Sequence, residues 1–106
     1  MAWFILIVAG LLEVVWSFAM KRSDGFSQLW PSAVSLVAMV MSMVLLSFSM
    51  RSLPLGTAYA VWTGIGALGA FVLGIAILGE AASTLRIVAA ALILGGLVLM
   101  KLSSPE

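Results

Sequence analysis

One acidic residue lies deep inside an apolar run of this 106-residue chain and is the main candidate for chemistry. Glu13 is the only ionisable residue well inside any of the long apolar runs. A charge at the centre of a membrane helix costs about 2.5–3.5 kcal/mol on insertion scales, so such residues usually mark an ion or proton pathway. Because burial disfavours the charged form, a proton and a cation can compete for this carboxylate. The alternative is a purely structural role, in which a protonated glutamate only holds neighbouring helices together.

The helix that carries Glu13 presents a stripe of residues suited to a cation site. At about 100° per residue, the stripe consists of Leu6, Ala9, Gly10, Glu13, Trp16, Ser17 and Met20. Gly10, one turn before the glutamate, allows another helix to approach closely. Trp16, one turn after it, offers a π face to a cation, with plain core packing as the alternative.

The second apolar run repeats serine at a seven-residue spacing. Its shared face consists of Ser35, Met39, Ser42 and Ser49. Ser42 lies mid-span, at a depth comparable to that of Glu13. We expect Ser42 and Trp16 each to orient the Glu13 carboxylate by donating a hydrogen bond. Serine in membrane helices also serves as packing material or bonds to its own backbone, and that interpretation stays open.

The third apolar run combines two aromatic residues with several glycines. Tyr59 and Trp62 lie one turn apart, and the indole N–H of Trp62 needs a hydrogen-bond partner at that depth. Residues 64–69 match GxGxxG, but a dinucleotide site requires a preceding strand, which is not predicted. The glycines predicted to allow close helix packing and bending are Gly10, Gly64, Gly66, Gly69, Gly95 and Gly96.

Composition places these residues in a membrane. Hydrophobic residues make up 64% of the chain and charged residues 8%, whereas soluble domains have about 25% charged residues. The sequence contains no cysteine and no histidine, which removes disulfides, thiolate metal sites and the usual proton shuttle. With a net charge of +1 and no basic tract, it has no electrostatic signature of nucleic-acid binding. We therefore expect no metal, no cofactor and no nucleic-acid partner, and instead membrane lipids around the chain.

Short polar turns divide the chain into four predicted spans, at about 2–20, 31–50, 57–78 and 85–101. Each span takes about 20 residues, so a fifth does not fit. The short connections make neighbouring helices antiparallel, and residues 101–106 form a short tail. The predicted fold is an all-α integral membrane protein with four transmembrane helices in a single domain covering residues 1–106.

The basic residues barely favour one orientation. With four spans, both termini and the second turn share one side of the membrane with Arg51 and Lys101, while Lys21, Arg22 and Arg86 lie on the other. Two against three is almost no bias for the positive-inside rule. Either the first and third turns face inward weakly, or the chain inserts both ways round and forms antiparallel pairs.

These landmarks together resemble the small multidrug resistance family over essentially the whole chain. The matching segments are residues 10–16 (GLLEVVW), residues 53–67 (LPLGTAYAVWTGIGA) and Gly79-Glu80. Trp16 after Glu-Val-Val, together with Met39 and Lys101, is similar to the guanidinium-exporter branch of that family. The resemblance implies an antiparallel, dual-topology homodimer of four-helix subunits, multi-pass in the bacterial inner membrane.

By the same resemblance, one shared site contains Glu13 from both chains and is lined by Trp16, Ser42, Tyr59 and Trp62. The implied function is a proton-coupled antiporter that exports guanidinium and small substituted guanidinium ions. A carboxylate can accept two guanidinium N–H groups in parallel, and aromatic faces can stack on the planar cation. The alternative is a broader exporter of quaternary ammonium and lipophilic cations, which the bulk of Trp16 disfavours. A non-transporting membrane subunit leaves Glu13 unexplained, and no enzyme is expected.

Overall fold

A computed structural model describes residues 1–103 of the chain, which fold into four α-helices. These are α1 (Ala2–Arg22), α2 (Leu29–Ser49), α3 (Leu55–Ala76) and α4 (Thr84–Ser103). With 20 to 22 residues each, they rise about 30 Å, the thickness of a bilayer's hydrocarbon core. All four are long and apolar enough to cross a membrane, which confirms the predicted all-α fold. The end of the predicted tail, residues 104–106, lies outside the described residues.

The helix ends differ from the predicted spans for local reasons. α2 begins at Leu29, which puts Pro31 at its third position. The N–H groups of a first turn have no partner within the helix, so proline loses no hydrogen bond there. α3 begins directly after Pro54, which caps it in an extended conformation. α4 continues through Ser103, so Lys101 is helical and does not begin the tail.

The first helix is the centre of the fold. α1 packs against α2 on one side and α3 on the other, whereas α4 packs only against α3 among these four helices. The described chain measures 43 × 34 × 16 Å. Its thinnest dimension is less than half of each of the other two. The helices therefore form a layer with two broad apolar faces.

The packed interior is concentrated where α1, α2 and α3 meet. Its buried residues are Ala2, Leu6, Ala9, Leu46, Leu53, Ala58, Val61 and Trp62. Ala9 and Ala58 are wholly buried, and such small residues let helix backbones approach closely in a membrane. No residue of α4 is buried.

A serine closes the turn between α1 and α2. The Ser23 hydroxyl donates to the carbonyl of Met20 at 2.6 Å and accepts the N–H of Phe26 at 3.0 Å. Asp24, Gly25 and Phe26 all have positive φ in this turn. The buried hydroxyl supplies the hydrogen bonds that hold this left-handed backbone.

Candidate functional site

Glu13 lies in the seam between α1 and α3, at a point where α3 has no side chain. A Cβ atom added to Gly66 would overlap Oε1 of Glu13, so the carboxylate rests against the backbone of α3. Gly10 and Gly69 leave similar notches on either side, filled by Ile65 and Val14. Three of the six glycines predicted to pack therefore line the seam around the glutamate.

Two polar atoms on the Glu13 stripe of α1 have no partner within the described chain. Oε1 of Glu13 is buried and accepts no hydrogen bond from residues 1–103. Nε1 of Trp16 is likewise buried and finds no acceptor among those residues. A buried polar group without a partner costs about 1–3 kcal/mol, so such groups are rare and call for an explanation. A ligand or a second chain can supply what is missing.

The predicted hydrogen bond from Trp16 to Glu13 is therefore absent from the described chain, and that prediction is wrong for this structure. The Glu13 carboxylate lies against Gly66 of α3, and neither its Oε1 atom nor Nε1 of Trp16 forms a hydrogen bond within residues 1–103. The two residues share a stripe, as their spacing indicates, without bonding to each other.

The expected hydrogen bond from Ser42 to Glu13 is corrected as well. The Ser42 hydroxyl donates to the carbonyl of Ala9 at 2.7 Å and accepts the indole N–H of Trp62 at 2.9 Å. A hydroxyl has one hydrogen to donate, so none is left for the carboxylate. Ser42 is 0% exposed and joins α1, α2 and α3 at one point. Trp62 obtains the partner that its depth requires.

The aromatic pair extends from this junction to the surface of the chain. The rings of Tyr59 and Trp62 lie 5.7 Å apart between centroids, with their planes at 46°. Trp62 is 7% exposed, but Tyr59 is 54% exposed. The structure thus connects Ser42, Trp62 and Tyr59 by direct contacts, one turn of α1 before Glu13. Tyr59 is therefore the exposed end of this series of contacts.

The remaining glycines fall into two groups. Gly64 receives Leu97 of α4, whose Cδ2 would lie 2.6 Å from an added Cβ. At Gly95 and Gly96, apart from adjacent residues and the local helix backbone, no described atom comes within 4 Å of such a Cβ. Their expected helix contact stays a prediction. Among residues 1–103, no group of three or more acidic, histidine or cysteine residues could hold a metal ion.

Comparisons with known proteins add an independent observation. A sequence model of the family described as Small Multidrug Resistance protein matches residues 1–93. A protein of Yersinia pseudotuberculosis serotype I (strain IP32953) named "Guanidinium exporter" is 59% identical over 104 residues, which is 98% of this chain and 100% of the relative. Proteins of the same name from Escherichia coli (strain K12) and Salmonella typhimurium (strain LT2) are each 55% identical over 98% of this chain and 99% of the relative.

Proposed function

The chain belongs to the small multidrug resistance family of transporters, and we propose that it exports guanidinium and small substituted guanidinium ions in exchange for protons. It is a multi-pass protein of the bacterial inner membrane. The observation that carries the proposal is the Glu13 carboxylate, with a buried oxygen that no group of residues 1–103 satisfies. The relatives named "Guanidinium exporter", at 55% and 59% identity, support the choice of cation.

The chemistry of the seam suits a small planar cation. Guanidinium presents N–H donors in a fork, and a carboxylate accepts two of them in parallel. Because Gly66 has no side chain, the carboxylate has a flat backbone surface behind it. The tilted rings of Tyr59 and Trp62 supply aromatic faces at the open side of the site. A proton on the same carboxylate removes the charge that the cation needs, so the two ions exclude each other.

We propose further that two copies with opposite orientations form one transporter. Trp16 Nε1 has no acceptor among residues 1–103, and Tyr59 is half exposed. A second copy facing this layer would bring its own Glu13 and share the site. Because the two chains are identical, exchanging their roles converts an inward-open state into an outward-open state of equal energy. Alternating access then needs no inverted repeat within one chain.

The test is ion uptake by proteoliposomes that contain the purified protein. Vesicles with an acidic interior are placed in radiolabelled guanidinium at higher pH, and outward proton flow should drive guanidinium inward against its gradient. Glu13→Gln keeps the shape and removes the charge, so uptake should be abolished. Asp24→Asn is the matched control, because it removes a carboxylate outside the membrane spans at a positive φ that asparagine tolerates.

Two outcomes would decide against the proposal. Tetraethylammonium driven inward as fast as guanidinium would favour the broader exporter of lipophilic cations. Full uptake by a folded Glu13→Gln variant would remove the carboxylate from the mechanism altogether.

A further inference from the structure

A cavity of about 390 Å³ lies at the end of the molecule where α1 and α3 finish and α4 begins. Its walls are mostly apolar, formed by residues that include Phe18, Phe71 and Leu78. Three charged side chains also line it: Lys21, Glu80 and Arg86. Because the apolar run of α1 ends at Lys21, this cavity lies at the boundary between lipid and water.

The charges in the cavity give it a positive balance. Arg86 donates from Nη1 to the carbonyl of Ala81 at 2.6 Å, and its Nη2 lies 3.7 Å from Oε1 of Glu80. The second distance is too long for a hydrogen bond, and a guanidinium has five N–H donors, so donors remain available. Lys21 forms no ion pair with any other residue within 1–103. Two cations therefore face one carboxylate.

An apolar slot continues from this cavity into the membrane. The slot has a volume of about 180 Å³ and shares Ala67, Phe71 and Arg86 with the cavity. It runs between α3 and α4 along residues that are all apolar: Leu68, Ala89, Ala90 and Ile93. The cavity and the slot together have a cationic rim at the membrane surface and an apolar groove below it.

We propose that this combined site binds one anionic phospholipid. Its phosphate lies between Lys21 and Arg86, and one acyl chain occupies the slot between α3 and α4. The positive balance selects an anionic headgroup over a zwitterionic one, because each basic residue at a membrane surface favours anionic lipid. The bound lipid adds contacts to α4, which otherwise packs only against α3 in the described chain. The inference does not depend on which ion is transported.

The test compares two phospholipids with identical acyl chains. Delipidated full-length protein in detergent is mixed with equal amounts of phosphatidylglycerol and phosphatidylcholine, and retained lipid is counted by native mass spectrometry. Phosphatidylglycerol should be retained preferentially, and Lys21→Gln should lower its retention about fivefold. Arg51→Gln is the control, because it also removes one basic residue but Arg51 follows the C-terminal end of α2, on the opposite side of the membrane. It should leave retention unchanged.

Two further measurements separate a lipid site from a mere charge effect. Ala90→Phe fills the slot without changing charge and should lower retention of phosphatidylglycerol. Glycerol 3-phosphate, which has the phosphate without the chains, should not displace the lipid. Equal retention of both lipids, or equal effects of Lys21→Gln and Arg51→Gln, would overturn the proposal. Displacement by glycerol 3-phosphate would show an anion site and no lipid site.

Discussion

The α1–α3 seam and the fourth helix use the same kind of residue to different effect. In the seam, Gly10, Gly66 and Gly69 are filled by side chains of the same chain. On α4, Gly95 and Gly96 meet no described residue. The seam is a packed helix contact that contains an ionisable group, whereas no residue of α4 is buried. Small residues at a helix surface permit close approach, but only the surrounding structure shows which partner uses it.

The difference separates what one chain completes from what it leaves open. The seam is packed, but Glu13 Oε1 in it and Trp16 Nε1 on the same helix lack hydrogen-bond partners among residues 1–103. α4 is held to α3 by contacts such as Leu97 against Gly64, and the rest of its apolar surface needs lipid or protein. Changes in the seam should therefore affect ion binding directly. Substitutions that act by disturbing the pairing with a second chain should instead affect transport.

Among variants that keep the Glu13 carboxylate, the largest effect on binding is expected from Gly66→Ala. The new methyl group would overlap the Glu13 carboxylate and force it out of the seam. Overpacking of this kind costs about 1–3 kcal/mol, so guanidinium affinity measured by titration calorimetry should fall by up to about a hundredfold. The reason is displacement of the carboxylate, since the charge itself is unchanged.

Gly56→Ala is the control for that experiment. Gly56 lies in the first turn of the same helix, with nothing within 4 Å of an added Cβ. The guanidinium affinity of the Gly56→Ala variant should equal that of the wild-type protein. Equal affinities for both alanine variants would mean that the carboxylate does not depend on the seam for its position.

A smaller effect is expected from Ser42→Ala. This change leaves the Trp62 indole N–H without its acceptor and removes the bond to the Ala9 carbonyl. An unsatisfied buried donor costs about 1–3 kcal/mol, so guanidinium affinity should fall about tenfold. Ser49→Ala is the control, because Ser49 is equally buried but bonds to Leu46 of its own helix. If both variants bind alike, the three-helix junction has no role in shaping the site.

The smallest effect is expected from variants that test whether a second chain of opposite orientation pairs with the first. Two lysines added after residue 106, together with Arg22→Gln, alter the basic balance from two against three to four against two. This should favour one orientation and lower transport several-fold in cells. Transport should be restored by a second copy that carries Arg51→Gln and Ser27→Lys. Its basic balance is one against four, so it favours the opposite orientation. Full transport by the first variant alone would contradict the antiparallel pair.

The four helices could be predicted because membrane spans have a strong signal. Runs of about 20 apolar residues separated by short turns leave few alternatives. The ends were less predictable, because proline at the third position of α2 and a cap at Pro54 are both compatible with helix. That α4 packs only against α3 among the four described helices is not encoded in any spacing, since each apolar face suits lipid as well as protein.

The residues near the site could be predicted from the sequence, but the hydrogen bonds and contacts between them could not. Helical spacing placed Trp16 beside Glu13, and depth indicated that Trp62 needs a partner. Neither gave the register between helices, which decides that Ser42 reaches the carbonyl of Ala9 and that Gly66 meets the carboxylate. Gly66 was predicted only to allow close packing and bending of the helix. A small residue one turn after Trp62 was the available signal, but several glycines of α3 share it.

Proton release on guanidinium binding tests the central claim most directly. If Glu13 holds either ion but not both, adding guanidinium to the protein in weakly buffered detergent should release protons and raise the acidity of the solution. Binding should also weaken as the pH falls, because the proton occupies the carboxylate. Glu13→Gln should neither bind guanidinium nor release protons. Guanidinium binding by the wild-type protein without proton release, and with equal affinity at low and high pH, would contradict the account.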